Sequence, residues 1–71
     1  MMFSPISVFL SDRDREILYF VADGLTDIEI GHKLDLSPKT INHRIEGLKR
    51  ELNVKTRVQV IVTALRNKWI Y

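Results

Sequence analysis

The chain contains no cysteine, and its 71 residues include only three glycines and two prolines. Without cysteine, neither a disulfide nor a thiolate metal site can reinforce the fold. A chain of this length builds one domain with a small hydrophobic core, and we expect oligomerisation to supplement its stability. A composition without cysteine also suits a reducing compartment, so we expect a cytoplasmic protein.

Long hydrophobic runs are scarce as well. The first ten residues are mostly apolar, but Pro5 interrupts them, no Lys or Arg precedes them, and charged residues follow from Asp12. Such a stretch is too short to span a membrane and lacks the features of a secretory signal. We therefore expect an unsecreted chain with no membrane contact, in which residues 1–9 are an N-terminal arm or linker and residues 10–71 form one domain.

The sequence also lacks the patterns of an enzyme. Neither His32 nor His43 has a nucleophile or a carboxylate at a spacing typical of a catalytic set. His32 lies near Glu29 and Asp35, but a Glu and a His three residues apart on a helix are usually a solvated pair rather than metal ligands. We expect no catalytic activity, no metal and no cofactor.

The net charge of +2 hides a strong asymmetry along the chain. Residues 1–36 carry three cations and seven acids, whereas residues 37–71 carry eight cations and two acids. A basic C-terminal part is typical of a surface that faces a polyanion. A solvated helix face would have the same composition, so charge alone leaves both interpretations open.

Capping residues and apolar spacing predict four helices. Ser11 with Asp14 starts the first, and Asp23-Gly24 ends it, because glycine adopts the left-handed conformation at a helix end without steric penalty. The other predicted boundaries are Thr26 with Glu29 for the short second helix, Ser37-Pro38 to about Leu52 for the third, and Thr56 to about Asn67 for the fourth. The sequence therefore predicts an all-α domain, whose second and third helices are close enough for a helix-turn-helix or another helical hairpin.

The third helix has two chemically different faces. At about 100° per residue, its aliphatic side chains fall on one side and should face the core: Ile41, Ile45, Leu48 and Leu52. The opposite side gathers polar residues and a glycine: Lys39, Asn42, His43, Glu46, Gly47 and Arg50. In the major groove, asparagine can pair with adenine through two hydrogen bonds and glutamate can accept one from cytosine, while a glycine on this face allows close approach.

These residue types predict a surface that contacts DNA. We predict base contacts from Asn42, His43 and Glu46. The predicted phosphate contacts are Lys39, Thr40, Arg44, Lys49, Arg50, Lys55 and Arg57. Ordinary solvation is the alternative for each residue, and it has equal weight for Glu46.

The fourth helix is apolar over a wide arc. Its predicted inward stripe is Val58, Ile61, Val62 and Leu65, and Val60 and Ala64 lie on an adjacent strip. A helix with so much apolar surface is usually buried against more than its own small domain. We predict that Val60 and Ala64 form a dimer contact, with an isolated exposed valine of no function as the alternative.

Five segments appear in a fixed order with no insertions: LSDRDREIL from Leu10, DGLT from Asp23, EIG from Glu29, LSPKTI from Leu36 and LNVKTRVQ from Leu52. Over about residues 10–70, this order resembles the LuxR-type, or GerE-like, DNA-binding domain of bacterial transcription regulators. The resemblance implies a four-helix helix-turn-helix fold. It also implies that the third helix enters the major groove and that the fourth helix forms the dimer contact.

Three positions of the third helix depart from that family pattern. Arg44 occupies a position that is usually His, and members that act after phosphorylation often have Lys at the positions of Asn42 and Glu46. The run from Thr40 to His43 is closer to members that sense acyl-homoserine lactones in quorum sensing. We therefore expect a base preference that differs from that of the phosphorylation-dependent members.

The resemblance implies a regulator that binds double-stranded DNA at a palindromic operator as a homodimer, either alone or as the effector part of a longer protein. A member that activates transcription would also contact RNA polymerase. One alternative is an interaction protein that forms inactive heterodimers with a full-length regulator. A sigma-factor-like domain is a third possibility, which the match at both ends of the domain disfavours.

Overall fold

The computed structural model describes residues 10–71, which form four α-helices. These are α1 (Asp12–Ala22), α2 (Asp27–Leu34), α3 (Pro38–Leu52) and α4 (Arg57–Arg66). No strand occurs in this part of the chain, so the predicted all-α fold is confirmed. No helix there has the length and apolar character needed to cross a membrane. The predicted N-terminal arm, residues 1–9, lies outside the described residues.

Local hydrogen bonds determine where each helix begins. Three helices start with a complete capping box, which consists of two reciprocal hydrogen bonds. The hydroxyl of the cap residue accepts from the backbone N–H of the residue three positions further on, and the side chain of that residue accepts from the backbone N–H of the cap residue. The pairs are Ser11 and Asp14 for α1, Thr26 and Glu29 for α2, and Thr56 and Gln59 for α4. α3 starts with the Ser37 hydroxyl accepting from the Thr40 N–H and with Pro38 in its first turn. The predicted starts of all four helices are confirmed.

The turn between α2 and α3 is short because Asp35 adopts a left-handed conformation with φ 58°. The Leu36 N–H then donates to the Gly31 carbonyl at 2.9 Å, which folds the chain back against α2. A Cβ at position 31 would lie 2.3 Å from the Leu36 carbonyl oxygen, so a larger residue would require a backbone shift. This close approach holds α2 and α3 in the helix-turn-helix arrangement.

Two groups of buried side chains form the core, and α1 and α3 contribute to both. The α2-side cluster contains Ile17, Ile30, Ile41 and Ile45. The α4-side cluster contains Leu10, Leu18, Leu48, Leu52, Val60, Ala64 and Ile70. The aliphatic stripe predicted for α3 is therefore confirmed, with each of its four side chains at most 7% exposed.

The orientation of α4 is opposite to the prediction. Val60 and Ala64, predicted to form a dimer contact, are completely buried in the α4-side cluster. Of the four residues predicted to face inward, Val58, Val62 and Leu65 are 69%, 37% and 47% exposed, and only Ile61 is partly buried against the cluster. The prediction that Val60 and Ala64 lie at a dimer surface is wrong.

The physical reason lies beyond the end of α4. Both strips of the helix are apolar, so periodicity cannot rank them. The chain turns back after the helix, where the Trp69 N–H donates to the Ala64 carbonyl at 2.9 Å. Ile70, 1% exposed, then joins the same cluster as Val60 and Ala64 and completes the burial of that strip.

An ion pair between the buried Asp14 and the half-exposed Arg44 joins α1 to α3. Asp14 is 3% exposed, and its Oδ1 accepts hydrogen bonds from Nε of Arg44 at 2.9 Å and from Nη2 of the same side chain. Its Oδ2 accepts from the Ser11 N–H at 3.2 Å as part of the α1 cap. Both carboxylate oxygens are thus satisfied, which is the condition under which a buried charge is tolerated.

Replacing Arg44 with alanine should lower the free energy of unfolding by about 1–3 kcal/mol, because the Asp14 carboxylate would stay buried without its cation. Urea unfolding followed by circular dichroism measures the loss. Arg15→Ala is the matched control, since Arg15 forms an exposed ion pair with Asp12 at 3.1 Å and such pairs contribute about 0–1 kcal/mol. Equal losses of unfolding free energy in the two variants would contradict a structural role for the ion pair between Asp14 and Arg44.

Candidate nucleic-acid interface

The side of α3 that points away from the core is polar and open. Its exposed or partly exposed residues are Lys39, Asn42, His43, Glu46, Gly47 and Arg50. His43 and Arg50 lie opposite the buried stripe and are exposed. Asn42 lies on the flank toward α4, near Arg57, and Arg44 lies on the flank toward α1, beside Asp14.

Glu46 is paired within the helix. Its Oε2 lies 2.6 Å from Nζ of Lys49, one turn further on. The hydrogen bond from Lys49 lowers the pKa of Glu46, so its carboxylate remains ionised at neutral pH and can only accept hydrogen bonds. An acceptor fits the amino group of cytosine, and the base contact of Glu46 and the phosphate contact of Lys49 stay predictions.

Three of the predicted phosphate contacts have no competing partner. Lys39, Arg50 and Lys55 form no ion pair with any residue between 10 and 71. Thr40 lies at the start of α3, where its hydroxyl oxygen is 2.9 Å from that of Ser37. All four side chains are exposed, and the three cations can reach phosphates without breaking an internal ion pair.

Two other predicted phosphate contacts are already engaged inside the domain. Arg44 binds the buried Asp14 carboxylate. Arg57 binds Asp27 through two hydrogen bonds, Nη1 to Oδ1 at 2.6 Å and Nη2 to Oδ2 at 3.1 Å. Sequence analysis missed both pairs. The only hint was the division of charge along the chain, because each pair joins an acid of the first half to a cation of the second.

The concave surface beside α3 does not resemble a substrate cavity. It lies between the start of α1 and the outward side of α3 and is lined by Ser11, Asp14, His43, Arg44 and Gly47 among others. Its one buried carboxylate, that of Asp14, is neutralised by Arg44. Between residues 10 and 71, no three potential metal ligands of the His, Cys, Asp or Glu type come together.

A polar, cation-bearing helix supported by a helix-turn-helix is the geometry that places a helix in the major groove of DNA. Comparison with protein families agrees with this class of domain. The family described as bacterial regulatory proteins, luxR family, matches residues 8–64. The chain belongs to the LuxR family and is a DNA-binding transcription regulator domain rather than an enzyme.

Individual relatives are named as transcription regulators. The chain is 31% identical over 61 residues to the transcriptional regulatory protein DegU of Brevibacillus brevis, covering 86% of this chain and 26% of DegU. It is 34% identical over 64 residues to the nitrate/nitrite response regulator protein NarP of Escherichia coli K12, covering 90% and 29%. It is 34% identical over 59 residues to the transcriptional activator protein SolR of Ralstonia nicotianae, covering 83% and 25%. The chain thus spans 25% to 29% of the length of these three relatives.

A substitution at Gly47 tests whether the α3 backbone lies close to bound DNA at this position. A Cβ at this position would have only Nη2 of Arg50 nearby, at 3.8 Å. Gly47→Ala should therefore raise the free energy of unfolding by about 0.5–1 kcal/mol, because alanine favours a helix interior. If α3 enters the major groove, Gly47→Ala should also weaken binding to a specific duplex, since the methyl group would then lie between the helix and the DNA.

Thermal unfolding and fluorescence anisotropy with a labelled duplex measure the two effects of Gly47→Ala separately. A more stable variant with unchanged DNA affinity would show that the backbone at this position stays away from the DNA.

Proposed function

We propose that α3 enters the major groove of double-stranded DNA and that the domain reads a palindromic operator as a homodimer. The two-sidedness of α3 is the observation that supports this most directly. Its aliphatic side is buried against both core clusters, while its opposite side is polar, open and free of core contacts. A helix held this way can enter a groove about 12 Å wide without disturbing the fold.

The side chains of the proposed DNA surface have two roles, base contact and phosphate contact. We assign base contacts to Asn42 and His43 on one turn of the outward side and to Glu46 on the next turn. Phosphate contacts go first to Lys39, Arg50 and Lys55, because these cations have no ionic partner between residues 10 and 71. Phosphate contacts set the position of the helix, and base contacts set its sequence preference.

His43→Ala should cost about 1–3 kcal/mol of binding free energy at a selected duplex and little on random DNA, because it removes a base contact. The control is Lys39→Ala, which should weaken binding to both duplexes by similar factors. The selected duplex comes from enrichment of a random-sequence library, and fluorescence anisotropy at fixed salt gives the affinities. An unchanged ratio of specific to random affinity in His43→Ala would contradict the reading role, and a library with no enriched sequence would contradict DNA reading altogether.

The proposed dimer surface is the exposed strip of α4, formed by Val58, Val62 and Leu65. At about 100° per residue these side chains lie within about 60° of one another, so they form one continuous strip. Half-buried Ile61 borders the strip on its core side. Burial of such a strip against a second copy would remove exposed apolar surface from water. A two-fold pair of this kind presents two reading helices to half-sites about 10 base pairs apart.

Val58→Glu should abolish cooperative binding to a palindromic duplex, because it places a charge in the proposed contact. Val58 is 69% exposed, so the thermal stability and the affinity for a single half-site should change little. Ile28→Glu is the matched control, since Ile28 is a 60% exposed apolar residue on α2 and the change in charge is the same. Titration of palindromic and half-site duplexes measures the cooperativity. Cooperative binding that persists in Val58→Glu, or is lost equally in both variants, would place the pairing surface elsewhere.

The same exposed strip supports a second candidate function. A domain that pairs through Val58, Val62 and Leu65 with a full-length regulator of the same family would act as an antagonist by forming inactive heterodimers. This candidate requires the strip but not the reading side of α3, so it predicts no enriched duplex in the library selection. For the DNA-reading protein we propose a cytoplasmic location and, if it activates transcription, a contact with RNA polymerase.

A further inference from the structure

We infer that Arg57 is a positioning residue that orients the side-chain amide of Asn42 and thereby restricts which bases Asn42 can read. This inference rests on the proposed function of α3 as the reading helix. It differs from the expectation from sequence that Asn42 pairs with adenine through two hydrogen bonds.

Arg57 is held in a defined orientation by Asp27. The two terminal nitrogens of the guanidinium donate to the two carboxylate oxygens at 2.6 and 3.1 Å, in the fork geometry that gives arginine its directional binding. The side chains of Arg57 and Asp27 are only 33% and 23% exposed, so solvent and salt screen the pair less than a surface pair. Arginine is always cationic in proteins, and the hydrogen bonds to Asp27 raise the pKa of Arg57 further.

Asp27 also offsets an unfavourable position of Arg57 within its own helix. Arg57 is the first residue of the helix, where the partial positive charge of the helix N-terminus disfavours a cation. Asp27 is the first residue of α2, where the same partial charge favours an anion. The cation at the start of α4 is therefore explained by its contact across the domain and not by its own helix.

The guanidinium also faces the flank of α3. Its Nη2 lies 3.5 Å from Oδ1 of Asn42. This distance is long for a hydrogen bond, so the contact acts mainly through charge. The amide oxygen carries partial negative charge and is attracted by the cation, whereas the amino group would be repelled. Asn42 is therefore held with its oxygen toward Arg57 and its amino group away from it.

This orientation limits the hydrogen bonds that Asn42 can make with a base. The two-bond contact with adenine requires Oδ1 to accept from N6 while the amino group donates to N7. With Oδ1 turned toward Arg57, the oxygen and the amino group no longer point at one base edge together, so the amino group is the remaining contact with the base. Guanine, adenine and thymine each present an acceptor in the major groove, whereas cytosine presents only its N4 amino group. Asn42 should therefore reject cytosine and discriminate weakly among the other three bases.

The test compares the base preferences of three proteins selected on the same random-sequence duplex library. They are the unaltered chain, Asn42→Ala, and the double variant Asp27→Asn with Arg57→Gln. The double variant keeps the net charge and retains two polar side chains that can hydrogen-bond to each other, but it removes the cation beside Asn42. Asn42→Ala identifies the base position that Asn42 reads, because only there should the preference be lost.

At that position the unaltered chain should disfavour cytosine. The double variant should gain about threefold to tenfold in preference for adenine, since its amide is free to rotate and make both hydrogen bonds. Preferences at all other positions should stay the same. A purely structural role of the Asp27–Arg57 pair would lower affinity for every sequence without changing this preference.

The control is the double variant Asp14→Asn with Arg44→Gln, which removes the other cross-helix ion pair at constant net charge, on the flank of α3 away from Asn42. It should leave the preference at the Asn42 position unchanged. If the Asp27→Asn and Arg57→Gln variant does not fold, Arg57→Lys serves instead, and it should still reject cytosine because a cation remains beside Oδ1.

An unchanged preference in the Asp27→Asn and Arg57→Gln variant overturns the inference, as does an equal change in both double variants or loss of cytosine rejection in Arg57→Lys. These results leave the proposed function intact, because the unaltered chain still enriches specific duplexes. If the unaltered chain enriches no duplex, the proposed function fails and the inference fails with it.

Discussion

The burial of four aliphatic side chains along α3 is the constraint on which the rest of the domain depends. Ile41 and Ile45 enter the cluster shared with α2, and Leu48 and Leu52 enter the cluster shared with α4. Because one helix supplies both clusters, a rotation of α3 about its axis would open cavities in each, and close-packed interiors tolerate such cavities poorly. The direction of the polar side of α3, which we propose reads DNA, is therefore set by the core. The outward residues do not contribute to the packing of this stripe, so substitutions among them should leave the core unchanged.

The charge asymmetry of the chain has two physical causes. Arg44 and Arg57 in the basic half neutralise Asp14 and Asp27 in the acidic half, so part of the asymmetry serves to hold the helices together. The two pairs lie on opposite flanks of α3, one toward α1 and one toward α4. Other cations of the basic half, such as Lys39 and Arg50, face solvent from α3. The cations to which we first assign phosphate contacts are thus different from the two that join the helices.

Features that depend on neighbouring residues could be predicted from the sequence, and features that depend on distant ones could not. The caps at Ser11, Thr26, Ser37 and Thr56 act on backbone groups within three residues, and α3 has sides of different chemistry, so both were predictable. The ion pairs join residues 30 apart, and no rule assigns one acid to one of eleven cations. In α4 both strips are apolar, and the choice between them depends on Ile70 closing over one of them.

α4 combines a core strip and an exposed strip within ten residues, and this would link the geometry of the proposed dimer to the fold. Its start is bound to α2 through Arg57 and Asp27, and its end is bound to the C-terminal turn through the Trp69 N–H and the Ala64 carbonyl. The exposed strip therefore has a fixed position relative to α3. Three side chains bury far less than the roughly 800 Å² per partner of a stable interface, so two free copies should pair weakly. Adjacent half-sites on one duplex would supply the missing effective concentration, and the fixed position of the strip would make that pairing sensitive to half-site spacing.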